Sequence, residues 1–329
     1  MEKVEFYTTT SLKLANENIM YHTLLEDIHE TRKTLQNLKD EYTELSKSLD
    51  DKDEHKLTGL YSKLEVIEVQ LNATSVQLKD FMKKKSKYQL YVKHGYIIVK
   101  TLGRGSYGSV FLATKDDDMF VLKTVSSKND DDTIPNEVKI LKQLQHIEGV
   151  PKLHDFYKND KACVIVMDYL PESVDLLKWK DNGNDDEDKI MDVFKKLVSI
   201  LINIDKAGFV HRDIKLENVI VNDDMVVRVI DFDHCIEKGK EPFTKFNGTV
   251  SYYPPEWFEN GKCQSEPMTV WSLGVLLYKL LTGCNPFPNV HKFDPGFKRV
   301  VNHKNLFENL FQHDPDERIS LVGIYDKFC

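Results

Sequence analysis

Between about residues 12 and 86, seam positions recur in alternating three- and four-residue steps: Tyr21, Leu24, Ile28, Thr31, Leu35, Leu38, Tyr42, Leu45 and Leu49, then Leu57, Leu60, Leu64, Ile67, Leu71, Thr74, Leu78 and Phe81. This spacing predicts an amphipathic helix, and the stretch holds no proline and a single glycine, Gly59. The phase slips by one residue across Asp50-Asp51-Lys52-Asp53-Glu54. Such a slip marks either a discontinuity in one long helix that pairs with a second chain, or the turn of an antiparallel hairpin whose two seams face each other. The pattern admits both, and also a helix that packs on nothing. Arms of matching length and a turn-like acidic centre favour the hairpin, with self-association or partner binding through residues 12–86 as the other reading.

From Tyr88 the period shortens. Tyr96-Ile97-Ile98-Val99, Phe111-Leu112-Ala113, Phe120-Val121-Leu122-Lys123, Leu153 to Tyr157 and Cys163 to Met167 read as strands, with a helix over Asn136 to Leu141. Residues Glu187 to Ala207 then give a helix with Ile190, Val193, Phe194, Leu197, Ile200, Leu201 and Ile204 on one face and Gly208 as its stop. Val219-Ile220-Val221 and Val226 to Ile230 flank a turn at Asn222-Asp223-Asp224. The expected division is a helical extension over 1–87 and an α+β domain over 88–329, β-rich at about 90–167 and helical at about 172–329.

Composition narrows the class. The chain has 329 residues, of which 41% are hydrophobic, enough for a sizeable core, and a net charge of -8. That charge argues against nucleic acid or an anionic membrane as primary partner and suits a basic one. The five cysteines, Cys163, Cys235, Cys263, Cys284 and Cys329, show no C-x-x-C spacing, so the expectation is a reducing compartment with neither zinc site nor disulfide framework. No apolar run approaches bilayer length, and the N-terminus lacks a signal-like apolar segment. A cytoplasmic or nuclear location follows as the expectation. Lys83-Lys84-Lys85-Ser86-Lys87 reads more simply as a solvated helix C-terminus than as a nuclear signal.

The chemistry is concentrated in His211-Arg212-Asp213-Ile214-Lys215-Leu216-Glu217-Asn218 and, two short apolar runs later, Asp231-Phe232-Asp233. Asp213 is a carboxylate able to take a hydroxyl proton, Lys215 supplies an ammonium, and Asn218 and Asp231 are hard oxygen ligands suited to Mg2+. Upstream, Leu102-Gly103-Arg104-Gly105-Ser106-Tyr107-Gly108-Ser109-Val110 is a glycine-rich stretch joining two predicted strands, whereas a dinucleotide-binding glycine loop opens a helix. The whole points to phosphoryl transfer.

These motifs, in this order, resemble the protein kinase superfamily. The resemblance implies a two-lobed protein-kinase fold. It also implies a site in which ATP is held by Leu102, Gly103, Gly105, Gly108, Val110, Val121, Lys123, Glu137, Met167, Asp168 and Ile220. Within it, Lys123 contacts the α- and β-phosphates and pairs with Glu137, Met167 and Asp168 line the adenine hinge, and Ile220 forms its floor. Asn218 and Asp231 would hold Mg2+, and Asp213 and Lys215 would act on the transferred group. Lys215, two residues after Asp213, is similar to serine/threonine rather than tyrosine kinases, with Thr249 as its expected companion, and Glu217 is similar to the acidic residue that basophilic kinases set against an arginine of the substrate. Glu256 is expected to pair with Arg318, leaving a C-lobe without a regulatory tail. Pro171, Pro254-Pro255-Glu256-Trp257 and Thr269-Val270-Trp271-Ser272-Leu273-Gly274 resemble the PIM-like branch. Two positions depart from the family pattern: Val121 stands where alanine is usual and Asp233 where glycine is usual. They motivate the rival reading of a pseudokinase scaffold working through the N-terminal helices. Glu237 and Glu241 are expected to stand in for an activating phosphate against Arg212.

Overall fold

In a computed structural model, the structure describes residues 27–47 apart from 29 and 45, 54–84, 91–126 apart from 92, 106 and 107, 134–158, 162–239, 242–287 apart from 246, and 300–329. The acidic slip at Asp50 to Asp53, the seam positions Tyr21, Leu24, Leu45 and Leu49, the lysines from Lys85, and Glu241 lie outside them. The chain divides into two compact units: 1–131 with 156–166, and 132–155 with 167–329.

The first unit begins with helix α1 over residues 27–47 and helix α2, Glu54–Lys84. Lys39 Nζ meets Glu68 Oε1 at 3.0 Å and the rings of Tyr42 and Tyr61 lie 6.5 Å apart. As the residue number rises on α1 from 39 to 42, its partner falls on α2 from 68 to 61, which is antiparallel pairing within one chain. The seam positions Leu35, Leu38, Tyr42, Leu64, Ile67 and Leu71 are half-buried, and Leu60 is buried. Ion pairs of this exposed kind contribute little; the shared apolar seam holds the arms together.

Strands β1 (Ile97–Gly105), β2 (Gly108–Lys115), β3 (Asp118–Ser126), β4 (Leu153–Lys158) and β5 (Ala162–Asp168) form one sheet ordered β1-β2-β3-β5-β4. One face is buried because alternate side chains on these strands are large and apolar. Tyr91, Tyr96, Ile98, Phe111, Ala113, Leu122, Ala162, Val164 and Val166 pack there as a single cluster. Thus β1 and β2 continue through the glycine-rich stretch, with Gly103 opposite Val110 and Gly105 opposite Gly108.

In the second unit, α3 (Asn136–Leu144) is followed by β6 (Val174–Asp175), α4 (Leu176–Asp181) and the long α5 (Glu187–Lys206). Asp175 and Asp186 cap α4 and α5 by accepting from N–H groups of the first turn. All seven predicted apolar positions of α5 are buried, together with Val198. Strands β7 (Phe209–Val210), β8 (Val219–Val221), β9 (Val227–Val229) and β10 (Ile236–Glu237) follow, then α6 (Pro255–Asn260), α7 (Ser265–Thr282), α8 (Lys304–Leu310) and α9 (Leu321–Phe328). Helix α7 is buried on almost every side and forms the axis of this unit, with Trp271 stacked on Phe287 at 5.1 Å and edge-on to Phe311. No helix among the described residues is long and apolar enough to cross a membrane.

Candidate active site

The catalytic segment hangs between two short ladders. At its start β7 pairs with β10, Val210 opposite Ile236 and Phe209 opposite Glu237. Beyond it β8 and β9 form a hairpin with Val219 opposite Val229, closed by a turn in which Asn222 Oδ1 accepts from Val226 N. One residue past this register Ile230 N donates to Asn218 O at 2.9 Å. The ladder therefore sets Asn218 beside Ile230, and Asp231 comes next. This is how two candidate metal ligands thirteen positions apart in the chain are brought to one end of one hairpin.

Asp213, 6% exposed, is held by Lys215, Asn218 and Thr249. Its Oδ2 accepts from Lys215 Nζ at 2.8 Å and from Asn218 Nδ2 at 2.9 Å, and its Oδ1 accepts from Thr249 Oγ1 at 3.0 Å. Lys215 Nζ also donates to Thr249 Oγ1 at 3.0 Å, which closes a ring of three side chains. Asn218 Nδ2 donates a second time, to Asp213 O at 2.8 Å. Because an amide is planar, fixing its nitrogen on Asp213 turns the Asn218 carbonyl oxygen the other way, where a hard cation can use it.

His211 is buried and supports the loop from behind. Its Nε2 lies 3.1 Å from Ile230 O, its Nδ1 accepts from Asp213 N at 3.3 Å, and its ring meets that of Phe232 edge-on at 4.9 Å. Both hydrogen bonds are satisfied by the neutral tautomer protonated at Nε2. Burial pushes its pKa down to about 4, against the opposing pull of Asp231 and Asp213. The backbone is left-handed at Arg212, with φ 66°, and at Asp231, with φ 69°. Such strain in non-glycine residues persists only where the surroundings hold it.

After Asp231 the chain makes a single 3-10 turn, Phe232–His234. Phe232 N donates to Glu137 Oε1 at 3.2 Å, so the α3 carboxylate reaches the segment that carries Asp231. Oxygens of Glu137, Asp231 and Asp233 lie within 4.8 Å of one another, a gathering of hard donors whose chemistry fits Mg2+. Asp233, a departure from the expected glycine, thus adds a carboxylate beside Asp231.

Arg212 corrects one expectation. No carboxylate among the described residues meets it: Nε donates to His234 O at 2.7 Å and the guanidinium lies 5.5 Å from the Phe243 ring centre. Glu237 is instead an exposed residue of β10. Phe243 is fixed by a two-bond bridge to Cys263 and belongs to the buried cluster with Val210, Tyr253, Cys263 and Met268. At Arg212 a carbonyl and an aromatic face stand where Glu237 was expected, while Glu241 lies outside the described residues.

The remaining expected residues divide between the units. Leu102, Gly103, Gly105, Gly108, Val110, Val121 and Lys123 lie on the β1-β2-β3 ladder, with Val110 opposite Lys123 and Leu112 opposite Val121. A Cβ on Gly108 would fall onto the Thr124 carbonyl, so that glycine is demanded by strand packing, whereas the space around Gly103 is open. Lys123 is buried. In the second unit Met167 is the next-to-last residue of β5 and Ile220 lies on β8 opposite Arg228. Asp168 is largely engaged: its N–H donates to Lys152 O, and its carboxylate accepts from Lys152 N and pairs with Arg228 at 2.7 Å. Sequence reasoning missed Gly248, whose backbone passes Asp213 too closely for any side chain, and Asn136, which contacts the segment after Asp231. The first carries no local signal beyond being a glycine, and the second none at all.

A glycine-bearing strand pair and buried strand lysine in one unit, and a carboxylate-amide-carboxylate constellation in the other, are features of a protein-kinase-type domain. Residues 96–327 match the protein kinase domain model, and the chain belongs to that family. It is similar to the serine/threonine-protein kinase cds1 of Schizosaccharomyces pombe, 29% identical over 68% of this chain and 56% of that one. It is also similar to the serine/threonine-protein kinase prk-2 of Caenorhabditis elegans, 30% identical over 70% and 57%, and to serine/threonine-protein kinase 1 of African swine fever virus, 32% identical over 56% and 62%. The chain therefore spans little more than half the length of these relatives.

Proposed function

We propose that this chain is an ATP-dependent serine/threonine protein kinase. The observation that carries the reading is the closed ring of Asp213, Lys215 and Thr249 with Asn218 donating twice to Asp213. Asp213, buried and fixed at both oxygens, orients the acceptor hydroxyl and receives its proton. Lys215 offsets negative charge on the group in transfer, and Lys123 of the first unit contacts ATP phosphates. Asn218 and Asp231 would hold Mg2+, with the carboxylates of Glu137 and Asp233 gathered beside Asp231. The metal would supply positive charge to offset phosphate oxygens.

Three finer readings accompany this. The lysine at 215 and the printed names of the relatives support serine or threonine as acceptor. Glu217, exposed beside the catalytic loop, and the net charge of -8 support substrates basic around the acceptor. Pro254-Pro255-Glu256-Trp257 and Thr269-Val270-Trp271 support a PIM-like branch, although the relatives carry other kinase names. A cytoplasmic or nuclear location, with no nucleic acid or membrane as partner, completes the reading. The pseudokinase alternative keeps one specific motive, the carboxylate of Asp233 in the metal-bearing turn. Incubating the protein with γ-labelled ATP, Mg2+ and a basic protein decides between them. Acid-stable label on serine or threonine, abolished by EDTA, is expected; no label above a no-enzyme control would leave the scaffold reading.

A further inference from the structure

Helix α3 starts without help from its own flank. Pro135 precedes it and offers no side-chain acceptor to its first N–H groups. Asn136, the first helical residue, sends its side chain elsewhere: Nδ2 donates to Cys235 O at 2.8 Å and lies 3.4 Å from Asp233 O. The next residue, Glu137, is 1% exposed and accepts from Phe232 N. Two successive side chains of one helical turn therefore grip the N–H of Phe232 and the carbonyls of Asp233 and Cys235. The turn they grip is closed on itself by Cys235 N donating to Phe232 O at 3.1 Å.

The geometry points to Asn136 as a positioning residue for both Glu137 and Asp231, an inference that rests on the phosphotransferase reading. Asn136 adds to the Glu137 bond a second tie one residue away, to the carbonyls on the far side of the turn. The left-handed backbone of Asp231 is a strained state that needs surroundings to hold it, and the Asn136 amide is one such holder. The position requires a donor, because both partners are carbonyl oxygens. Aspartate has the same shape and none to give, and would set a carboxylate against two acceptors.

The test uses the full chain and three variants, Asn136→Ala, Asn136→Asp and Asn136→Gln. For Ala and Asp, the ATP KM and the Mg2+ concentration for half-maximal rate should each rise about fivefold, the effect of losing roughly one part-buried hydrogen bond. Gln, which keeps the amide donor, should recover most of the difference. Amide hydrogen exchange in the ligand-free protein is a second readout that needs no phosphoryl transfer. Exchange at Phe232 to Cys235 should quicken about tenfold in the Ala and Asp proteins, while α5 is unchanged. If the wild type transfers no phosphate yet exchange responds in this way, the phosphotransferase reading fails and the clamp stands. Unchanged exchange at 232–235, or a rise shared equally by α5, overturns the clamp, as does an Asp variant with wild-type ATP and Mg2+ dependence.

Discussion

Replacing Gly248 by alanine presses on the Asp213 carboxylate and, harder, on the Arg212 carbonyl before it. A Cβ built on Gly248 falls 2.8 Å from Arg212 O, 3.2 Å from Asp213 Oδ1 and 3.4 Å from the Tyr253 ring. Ordinary carbon–oxygen contact is about 3.3 Å or more, so the Arg212 carbonyl must retreat by roughly half an ångström. It cannot do so freely, because Arg212 already has φ 66° and its side chain is tied to His234 O. Gly248 itself has φ +132°, a conformation that alanine adopts at a cost of about 1–3 kcal/mol. Asp213 lies next in the chain and is fixed at both oxygens, so the shift reaches the reacting geometry. A misplacement of about 1 Å costs on the order of 10²-fold in rate, and half that should cost about tenfold. Steady-state kcat at saturating ATP and peptide reads the rate, and urea unfolding reads the strain. A Gly248→Ala protein with kcat within twofold of wild type and unchanged stability would refute the close packing of this loop on Asp213.

Other outcomes follow from particular contacts. The His211 pKa of about 4 lies below its ordinary value of 6.5, so the unfolded chain binds more protons between those pH values. The stability this contributes, about 3 kcal/mol, is complete above pH 6.5 and is lost as pH falls toward 4. In His211→Gln the dependence of unfolding free energy on pH across that window should flatten, and an unchanged slope would contradict the burial of a neutral imidazole. Glu256→Ala strands the Arg318 guanidinium, whose side chain is 0% exposed and paired to Glu256 at 3.0 Å through both nitrogens. Urea unfolding should show a loss of about 3–5 kcal/mol, and a loss below about 1 kcal/mol would mean the charge finds water. Cysteines at Tyr42 and Tyr61 should oxidise to a bridge within one chain, visible as a faster-migrating monomer on a non-reducing gel. Disulfide-linked dimers alone would reverse the hairpin assignment.

Much of the candidate site was legible because its parts lie close in sequence and their chemistry is strict. Asp213, Lys215 and Asn218 occupy one loop, and the hairpin that carries Asn218 to Asp231 announces itself as two apolar triplets around a polar turn. The pairing of Glu256 with Arg318 was also anticipated. Periodicity could not decide how the N-terminal arms pair, since an apolar seam has the same spacing whether its partner is the same chain or another. The Lys39–Glu68 and Tyr42–Tyr61 contacts support antiparallel pairing of α1 and α2 within the chain. Glycines were legible as glycines and not by reason: Gly108 is required by the Thr124 carbonyl, and Gly248 by Arg212 and Asp213, neighbours far away in the chain. Arg212 was assigned a charged partner because charge is what a sequence displays. A backbone carbonyl and a phenyl face are invisible at that level.

The central claim is that Asp213, held by Lys215, Asn218 and Thr249, directs phosphoryl transfer to a hydroxyl. Single-turnover transfer of the γ-phosphoryl group from ATP to a serine-containing basic peptide tests it most directly, comparing the wild type with Asp213→Asn under saturating Mg2+. The account predicts a fall on the order of 10²-fold or more in the rate of the transfer step, with ATP binding little altered. An Asp213→Asn protein that transfers phosphate at the wild-type rate would contradict it.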